Sequence, residues 1–205
     1  MSSVGLGTGS AGAAGPAGSG GPGASRGSAT AASPRDRAAT ALVLGVAASA
    51  WFGWAQEGPP SGWEPFLIAG SVVAVLIAAV GGIRTWRHRR GESVMSEPRA
   101  RRTYNLTVAV EGAAIVAGVV VLGLVDASSY LAAWILFVVG VHFVPLGRLF
   151  RLRGLQVAGV GCAVVAAAAV TTAWSGAALP SAVAGAGGGL VMAVCGAVTV
   201  LRSGS

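Results

Sequence analysis

Six long runs of apolar residues alternate with short polar segments along the chain. Each run has close to the roughly 20 residues that an α-helix needs to cross about 30 Å of hydrocarbon. Backbone groups in hydrocarbon must be hydrogen-bonded within their own structure, and the runs lack the alternation of barrel strands, so they predict helices. The predicted spans are residues 38–55, 65–83, 104–125, 129–147, 154–174 and 182–201.

Residues 1–37 consist mainly of Gly, Ala, Ser and Pro and contain no aromatic side chain. Such a segment buries too little surface to offset the entropy of ordering it, so the sequence predicts a disordered cytoplasmic tail. The segment also lacks the basic start and apolar centre of a signal peptide. Residues 202–205 are expected to form a second short cytoplasmic tail after the last span.

The arginines all lie on one side of this six-span arrangement. They precede span 1, separate spans 2 and 3, separate spans 4 and 5, and follow span 6, whereas the opposite connections carry only Glu57, Glu64 and Asp126. The positive-inside rule therefore predicts that both termini are cytoplasmic, and Trp and Tyr residues fall near both membrane surfaces. The chain is predicted to be an all-α integral membrane protein, a six-transmembrane-helix bundle of the cell membrane with both termini in the cytoplasm.

Composition agrees with a membrane protein and narrows the expected partners. The 205-residue chain is 54% hydrophobic and 10% charged, with a mean hydropathy of +0.72, whereas ordinary soluble domains have about 25% charged residues. Much of its basic charge lies in residues 84–102, which we expect to anchor the topology and to contact anionic lipid headgroups. This segment is too short to build a nucleic-acid-binding surface. The expected partners are the bilayer and a small-molecule or lipid-like ligand, and an oligomer is left open.

Neither a metal site nor a cofactor-binding motif is expected. Cys162 and Cys195 lie inside apolar runs, without the CxxC spacing or Cys/His clusters of zinc sites, and they are interpreted as packing residues. The glycines of span 6 follow no predicted strand and precede no lysine, so they do not match a phosphate-binding loop.

Small side chains recur at four-residue intervals in spans 5 and 6, and such rows let two helix backbones approach closely. We therefore expect spans 5 and 6 to pack together along these rows, with spans 1 and 2 in supporting positions at the periphery. The rows are Gly154, Ala158, Cys162 and Ala166 in span 5, and Gly185, Gly189, Ala193 and Ala197 in span 6.

Two ionisable side chains lie within predicted spans, Glu111 in span 3 and His142 in span 4. A carboxylate in hydrocarbon is costly and normally faces the bundle interior, water or a partner. A tight turn joins spans 3 and 4, so we expect them to be antiparallel neighbours. The helical rise of about 1.5 Å per residue places both groups in the cytoplasmic half of the bundle, where they can meet.

Further polar residues extend this candidate site. Tyr104 and Thr107 share a face of span 3 with Glu111, and Gln156 lies at the start of span 5. Pro145 lacks the amide that would bond the carbonyl of Val141, which frees an acceptor beside His142. The predicted substrate-binding set is Tyr104, Thr107, Glu111, His142 and Gln156, and Glu111 and His142 are the candidate catalytic residues.

The stretch His142, Phe143, Pro145, Leu146 and Phe150, written H-F-x-P-L-x-x-x-F, resembles a signature of small uncharacterised six-helix bacterial integral membrane proteins. The resemblance extends over residues 38–201, with its specific part in span 4. It implies a six-helix fold and a membrane location, and it implies no particular reaction.

Three functions remain open at this point. The first is binding or transport of a small solute, proton-linked through Glu111 and His142. The second is an intramembrane enzyme acting on a lipid-like or isoprenoid substrate, with Glu111 as general acid and His142 as its partner. The third is a scaffold or accessory subunit in which the pair is structural. A cavity that touches both side chains would favour one of the first two, and a pair sealed by packing would favour the third.

Overall fold

A computed structural model describes residues 32–91, 93–176 and 178–202. These residues form six α-helices and two 3₁₀ turns, with no β-strand among them. All six helices are long and apolar enough to cross a membrane, which confirms the predicted number and type of elements. The helices are α1 (Pro34–Ala55), α2 (Glu64–Arg87), α3 (Pro98–Leu124), α4 (Leu131–Leu149), α5 (Arg153–Ser175) and α6 (Pro180–Arg202), and the 3₁₀ turns are Val94–Ser96 and Ser128–Tyr130.

Several helices extend beyond the predicted spans at their arginine-bearing ends. α1 begins at Pro34, inside the predicted tail, and α6 includes Arg202. Apolar runs mark only the hydrocarbon-length part of a helix, whereas the helix itself continues until its end is capped. At α1 the hydroxyl of Ser33 accepts a hydrogen bond from the amide of Asp36 at 3.0 Å, and Pro34 occupies the first helical position. The rest of the two predicted tails, residues 1–31 and 203–205, lies outside the described residues.

The arginine-bearing segments meet at one end of the bundle, which we call the arginine-rich end. Arg37 in the first turn of α1 donates a hydrogen bond to the carbonyl of Arg202, the last residue of α6, at 3.4 Å. Phe150, after α4, contacts the ring of Tyr104 in α3 edge-on, with 6.5 Å between ring centroids. The α2–α3 connection is hydrogen-bonded to the start of α1, as described below. This arrangement agrees with the predicted alternation of the spans.

α6 lies at the centre of the bundle, and α3 is its most peripheral helix. α1 packs extensively against α2 and α6, α4 packs mainly against α5, and α6 also contacts α2, α4 and α5. α3 packs chiefly against α4 and the 3₁₀ turns, and it buries only Ala100 and Gly118. The expectation that span 1 is peripheral is therefore wrong, because Leu44 and Phe52 of α1 are among the largest fully buried side chains.

The small-residue rows of α5 and α6 provide close packing against α1 and α4 as well as between α5 and α6. Gly185 of α6 faces α1, where a Cβ added to it would lie 2.8 Å from the carbonyl oxygen of Trp51. Cys162 of α5 faces α4, where a Cβ added to Gly140 would lie 3.1 Å from the Cβ of Cys162. α5 and α6 also contact each other. Gly154 of the α5 row has Thr199 of α6 as its neighbour, with 3.8 Å from an added Cβ to the threonine hydroxyl. The rows therefore serve several helix contacts, because a small residue indicates a close approach without indicating which helix approaches.

Candidate functional site

Glu111 of α3 and His142 of α4 lie in contact, a pairing that the sequence allowed but did not establish. Nδ1 of His142 is 3.3 Å from Oε2 of Glu111. The histidine side chain is 7% exposed and the glutamate side chain 19% exposed, so the contact is nearly enclosed by the two helices. The pair lies close to the middle of α3, which runs from Pro98 to Leu124. A carboxyl group that is costly to bury alone therefore lies beside an imidazole that can pair with it.

The contact has the distance of an ion pair without the alignment of a hydrogen bond. Nδ1 of His142 is buried and has no hydrogen-bond partner among the residues that the structure describes. The imidazole also interacts with the backbone of Thr107, one turn before Glu111 on the same helix. Buried polar atoms are nearly always paired, so this nitrogen is the least satisfied group at the α3–α4 contact.

Trp134 of α4 fixes the register of α3 against α4 along their axes. Its indole Nε1 donates a hydrogen bond to the carbonyl of Ala114 at 3.1 Å, and the ring occupies the space that a side chain at Gly118 would need. The absence of a side chain at residue 118 therefore lets the indole lie against the α3 backbone. Because Ala114 is only three residues after Glu111, this contact holds the carboxylate beside His142.

The other predicted binding residues lie at different places. Thr107 is next to the pair, but its hydroxyl donates to the carbonyl of Thr103 within α3 at 2.8 Å. Tyr104 lies about one helical turn before Thr107, toward the arginine-rich end, where its ring contacts Phe150. Gln156 packs where α5 approaches Gly147, since a Cβ added to that glycine would lie 2.5 Å from the glutamine Cγ. The structure therefore brings together Thr107, Glu111 and His142, and it does not place all five residues around one cavity.

A cavity of about 350 Å³ lies at the arginine-rich end between α1, α3, α4 and α5, and we call it the arginine-end cavity. Its walls are largely apolar and include Val43, Leu146 and Phe150, while Arg35 and Asp36 add charge at the start of α1. Tyr104 is the member of the predicted set that lines it. Neither Glu111 nor His142 is among its lining residues.

Asp36 ties the α2–α3 connection to α1, and sequence reasoning gave it no role. Its side chain is 4% exposed. One carboxylate oxygen accepts a hydrogen bond from the hydroxyl of Ser93 at 2.6 Å, and the other accepts one from the amide of Val94 at 3.0 Å. The local signal was an acid between two arginines, three residues after a serine followed by proline. That pattern indicates a helix start and does not indicate what the carboxylate binds.

A second cavity, of about 390 Å³, lies at the opposite end of the bundle and is lined in part by Trp54, Glu57, Ser129 and Ser181. Neither Glu111 nor His142 lines this one either. The described cavities at the two ends are therefore separate from the Glu111–His142 pair, which lies between the levels of the two.

No group of three or more His, Cys, Asp or Glu side chains within the described ranges is arranged to hold a metal ion. Cys162 is buried and Cys195 is half-buried, and both are free thiols. Chemistry at the candidate site therefore has to be argued from one carboxyl group and one imidazole.

Comparisons with models of protein families, with curated proteins and with solved structures found no match to this chain. The functional argument therefore depends on the residues and their geometry. The resemblance at HFxPLxxxF stays a prediction. In the structure, this stretch runs from His142, in contact with Glu111, to Phe150, in contact with Tyr104.

Proposed function

We propose that this chain is a multi-pass protein of a bacterial cell membrane that binds or transports a small solute, with the Glu111–His142 pair as a proton-binding site. Both termini are assigned to the cytoplasm, because the arginine-bearing connections share one end of the bundle and basic residues accumulate on the cytoplasmic side. The observation that carries the proposal is the 3.3 Å contact of a carboxylate and an imidazole between two apolar helices.

Such a pair changes its interactions when it gains or loses a proton. With a single proton between them the two groups are net neutral, either as an ion pair or as a neutral pair. With two protons or none, one uncompensated charge remains in a weakly polar site, which is strongly unfavourable. The attraction between α3 and α4 is therefore greatest in the singly protonated state.

α3 is the helix that such a change can move, because α4 is its main helical neighbour. Tyr104 lies on the same helix, seven residues before Glu111, and lines the arginine-end cavity. Protonation of the pair can therefore alter a cavity wall that is about 10 Å away, given the rise of about 1.5 Å per residue. Protonation of the pair would in this way change solute binding in the cavity, through a movement of α3.

The test is whether the pair contributes pH-dependent stability. We would measure melting temperatures of the full chain in nanodiscs between pH 5 and pH 9 for the wild type, Glu111→Gln and Glu64→Gln. Glu64 is an exposed acid in the first turn of α2 and serves as the matched control. The difference between the wild type and Glu111→Gln should pass through a maximum with pH, because the neutral pair is favoured at intermediate protonation. The Glu64→Gln curve should run parallel to that of the wild type.

A constant difference between the wild type and Glu111→Gln at every pH would refute a proton-binding role. Potential-driven proton uptake into liposomes loaded with a pH-sensitive dye tests the transport arm. Glu111→Gln should abolish any uptake that the wild type and Glu64→Gln both show.

The second candidate function is a scaffold or accessory subunit, and one observation favours it. The pair is nearly enclosed and lines neither of the two cavities described above. In a scaffold the pair only determines how α3 packs on α4. The melting temperatures of the wild type and Glu111→Gln should then differ by the same amount at every pH. The enzyme alternative requires a substrate cavity that reaches both side chains, and neither cavity supports it.

A further inference from the structure

We propose that the arginine-end cavity binds a single-chain amphiphile with an anionic headgroup, which enters from the lipid between α1 and α3. The proposal rests on the proposed membrane location, and it gives the solute of the proposed function a chemical class. It does not depend on the protonation of Glu111 or His142.

The apolar part of the cavity opens toward the flank of the bundle. Val43 of α1 lines the cavity and is nevertheless 58% exposed, so this wall continues onto the outer surface of α1. Leu146 and Leu155 form buried parts of the lining on α4 and α5. In a membrane, the outer surface of α1 would face lipid chains, so an apolar chain could pass from the bilayer into the cavity without crossing water.

The volume favours one chain. The cavity holds about 350 Å³, near the lower end of the roughly 300–1,000 Å³ typical of small-molecule sites. A ligand with one alkyl or isoprenyl chain fits this space better than a two-chain lipid lying wholly inside it.

An arginine lies at the polar end of the cavity, beside an aspartate whose carboxylate is turned toward the α2–α3 connection. Arg35 lines it, and its Nη1 donates to the carbonyl of Gly91 at 3.2 Å, which is a neutral acceptor. Asp36 also lines the cavity, but both of its carboxylate oxygens already accept hydrogen bonds from Ser93 and Val94. Arg35 is the lining cation, and Arg37, which does not line the cavity, leaves the segment of residues 35–37 with one net positive charge. A phosphate or carboxylate is the headgroup that this charge complements.

The same residues hold the polar wall in place. Ser93 and Met95 of the α2–α3 connection line the cavity, and the Asp36 hydrogen bonds fix this connection over the start of α1. Tyr104 closes the side formed by α3. The wall that would contact the headgroup is thus built from an anchored connection and two helix ends.

The experiment is a binding titration with the full chain in phosphatidylcholine nanodiscs, with empty nanodiscs as the background. The probe is dansyl-undecanoic acid, whose fluorescence rises in apolar surroundings, and the competitors are decyl phosphate, decanol and inorganic phosphate. We expect saturable binding of the probe that decyl phosphate displaces. Decanol and inorganic phosphate should compete much more weakly, because decanol lacks the charge and inorganic phosphate lacks the apolar chain. A second set of discs containing phosphatidylglycerol identifies the source of the headgroup. Loss of probe binding there would assign the site to a two-chain membrane phospholipid and overturn the proposal, whereas unchanged binding supports a single-chain amphiphile.

Two pairs of variants locate the site. Arg35→Gln should weaken probe binding about tenfold, as expected for the loss of a charge-assisted hydrogen bond, whereas Arg35→Lys should keep most of the affinity. Arg99→Gln, at an exposed arginine in the first turn of α3, is the control for charge. Val43→Trp should fill the cavity and weaken binding by a similar factor, whereas Val46→Trp places the same indole on the exposed surface one turn away.

The proposal is overturned if Arg35→Gln and Val43→Trp bind the probe as their controls do, or if decanol competes as well as decyl phosphate. Melting temperatures of all variants identify any that fail to fold, and if Arg35→Gln does, the comparison of Val43→Trp with Val46→Trp decides the proposal. A lack of pH dependence at Glu111 would remove the proton linkage and leave this binding result intact. Failure of probe binding would in turn leave the proton linkage untouched.

Discussion

Replacing Gly118 with alanine should loosen α3 from α4, because a methyl group at that position overlaps the indole of Trp134. The indole would have to move away from α3, and its hydrogen bond to the carbonyl of Ala114 would be lost with it. Gly112 is the matched control, since it lies on the same helix and a Cβ built there meets no atom of the described structure within 4 Å.

The magnitude follows from three terms. Overpacking a well-filled contact costs about 1–3 kcal/mol, and the lost hydrogen bond adds about 0.5–1.5 kcal/mol. A glycine-to-alanine change in a helix contributes about 0.5–1 kcal/mol in the stabilising direction. This third term is shared by Gly118→Ala and Gly112→Ala and cancels between them. The two variants should therefore differ by about 1.5–4.5 kcal/mol in the free energy of unfolding, from the first two terms.

The assay is an unfolding titration in mixed micelles followed by tryptophan fluorescence, together with hydrogen exchange of the α3 amides in nanodiscs. Gly118→Ala should unfold earlier and exchange faster within α3, while α1 and α6 keep their protection because α3 packs chiefly against α4. Equal stability of Gly118→Ala and Gly112→Ala would refute this account of how α3 is held.

Two further predictions concern other contacts. Asp36→Asn should make the α2–α3 connection more susceptible to trypsin, because hydrogen bonds to a carboxylate are each worth about 1.5–3 kcal/mol. The control is Glu97→Gln, at an acid without a side-chain cap bond, which should leave the cleavage rate unchanged. Equal rates for the two variants would contradict the anchoring role of Asp36. Gly140→Ala should lower the unfolding free energy by about 1–3 kcal/mol, because the added Cβ would lie 2.7 Å from the carbonyl oxygen of Gly159. Gly154→Ala meets only an ordinary contact at 3.8 Å and should show no such loss in the same titration.

The number of helices followed from the sequence, and so did the possibility that Glu111 and His142 meet, because both depend on strong local constraints. Hydrocarbon thickness sets the length of an apolar helix, so six runs gave six helices. Spans joined by a tight turn are forced to be neighbours, which brought a residue of span 3 near one of span 4. Burying a carboxylate without a partner is expensive, and that expense made the imidazole of His142 the natural candidate.

Which helices are central and which are peripheral could not be predicted from the sequence, and the reason is chemical. Leu106 of α3 is 64% exposed and Leu136 of α4 is fully buried, although both are leucines in apolar helices. Lipid tails are as apolar as a protein core, so the same types of residue occur on helix surfaces that face lipid and on those that face the protein interior. The sequence therefore marked α1 as supporting and gave no sign that α3 is peripheral.

The role of Asp36 was missed for a different reason. Its partners, Ser93 and the amide of Val94, lie 57 and 58 residues away in a polar connection. Patterns in sequence report contacts within a helix, and they do not report which loop folds back onto a helix start. The charge of residues 84–102 was correctly taken to mark one side of the bundle, but its attachment to α1 required the three-dimensional structure.

The position of the pair on α3 is what connects the candidate site to the arginine-end cavity. α3 meets the helical bundle at three levels: Tyr104 against Phe150, Glu111 against His142, and Gly118 against Trp134. The outer two contacts are packing contacts that are insensitive to protons, and the middle one is ionisable. A change in charge at the middle contact therefore acts between two contacts that keep α3 attached to the bundle, so it favours a local shift of α3, including Tyr104, over the release of the helix. Since Tyr104 lines the cavity, we expect such a shift to reach the ligand site through α3 alone.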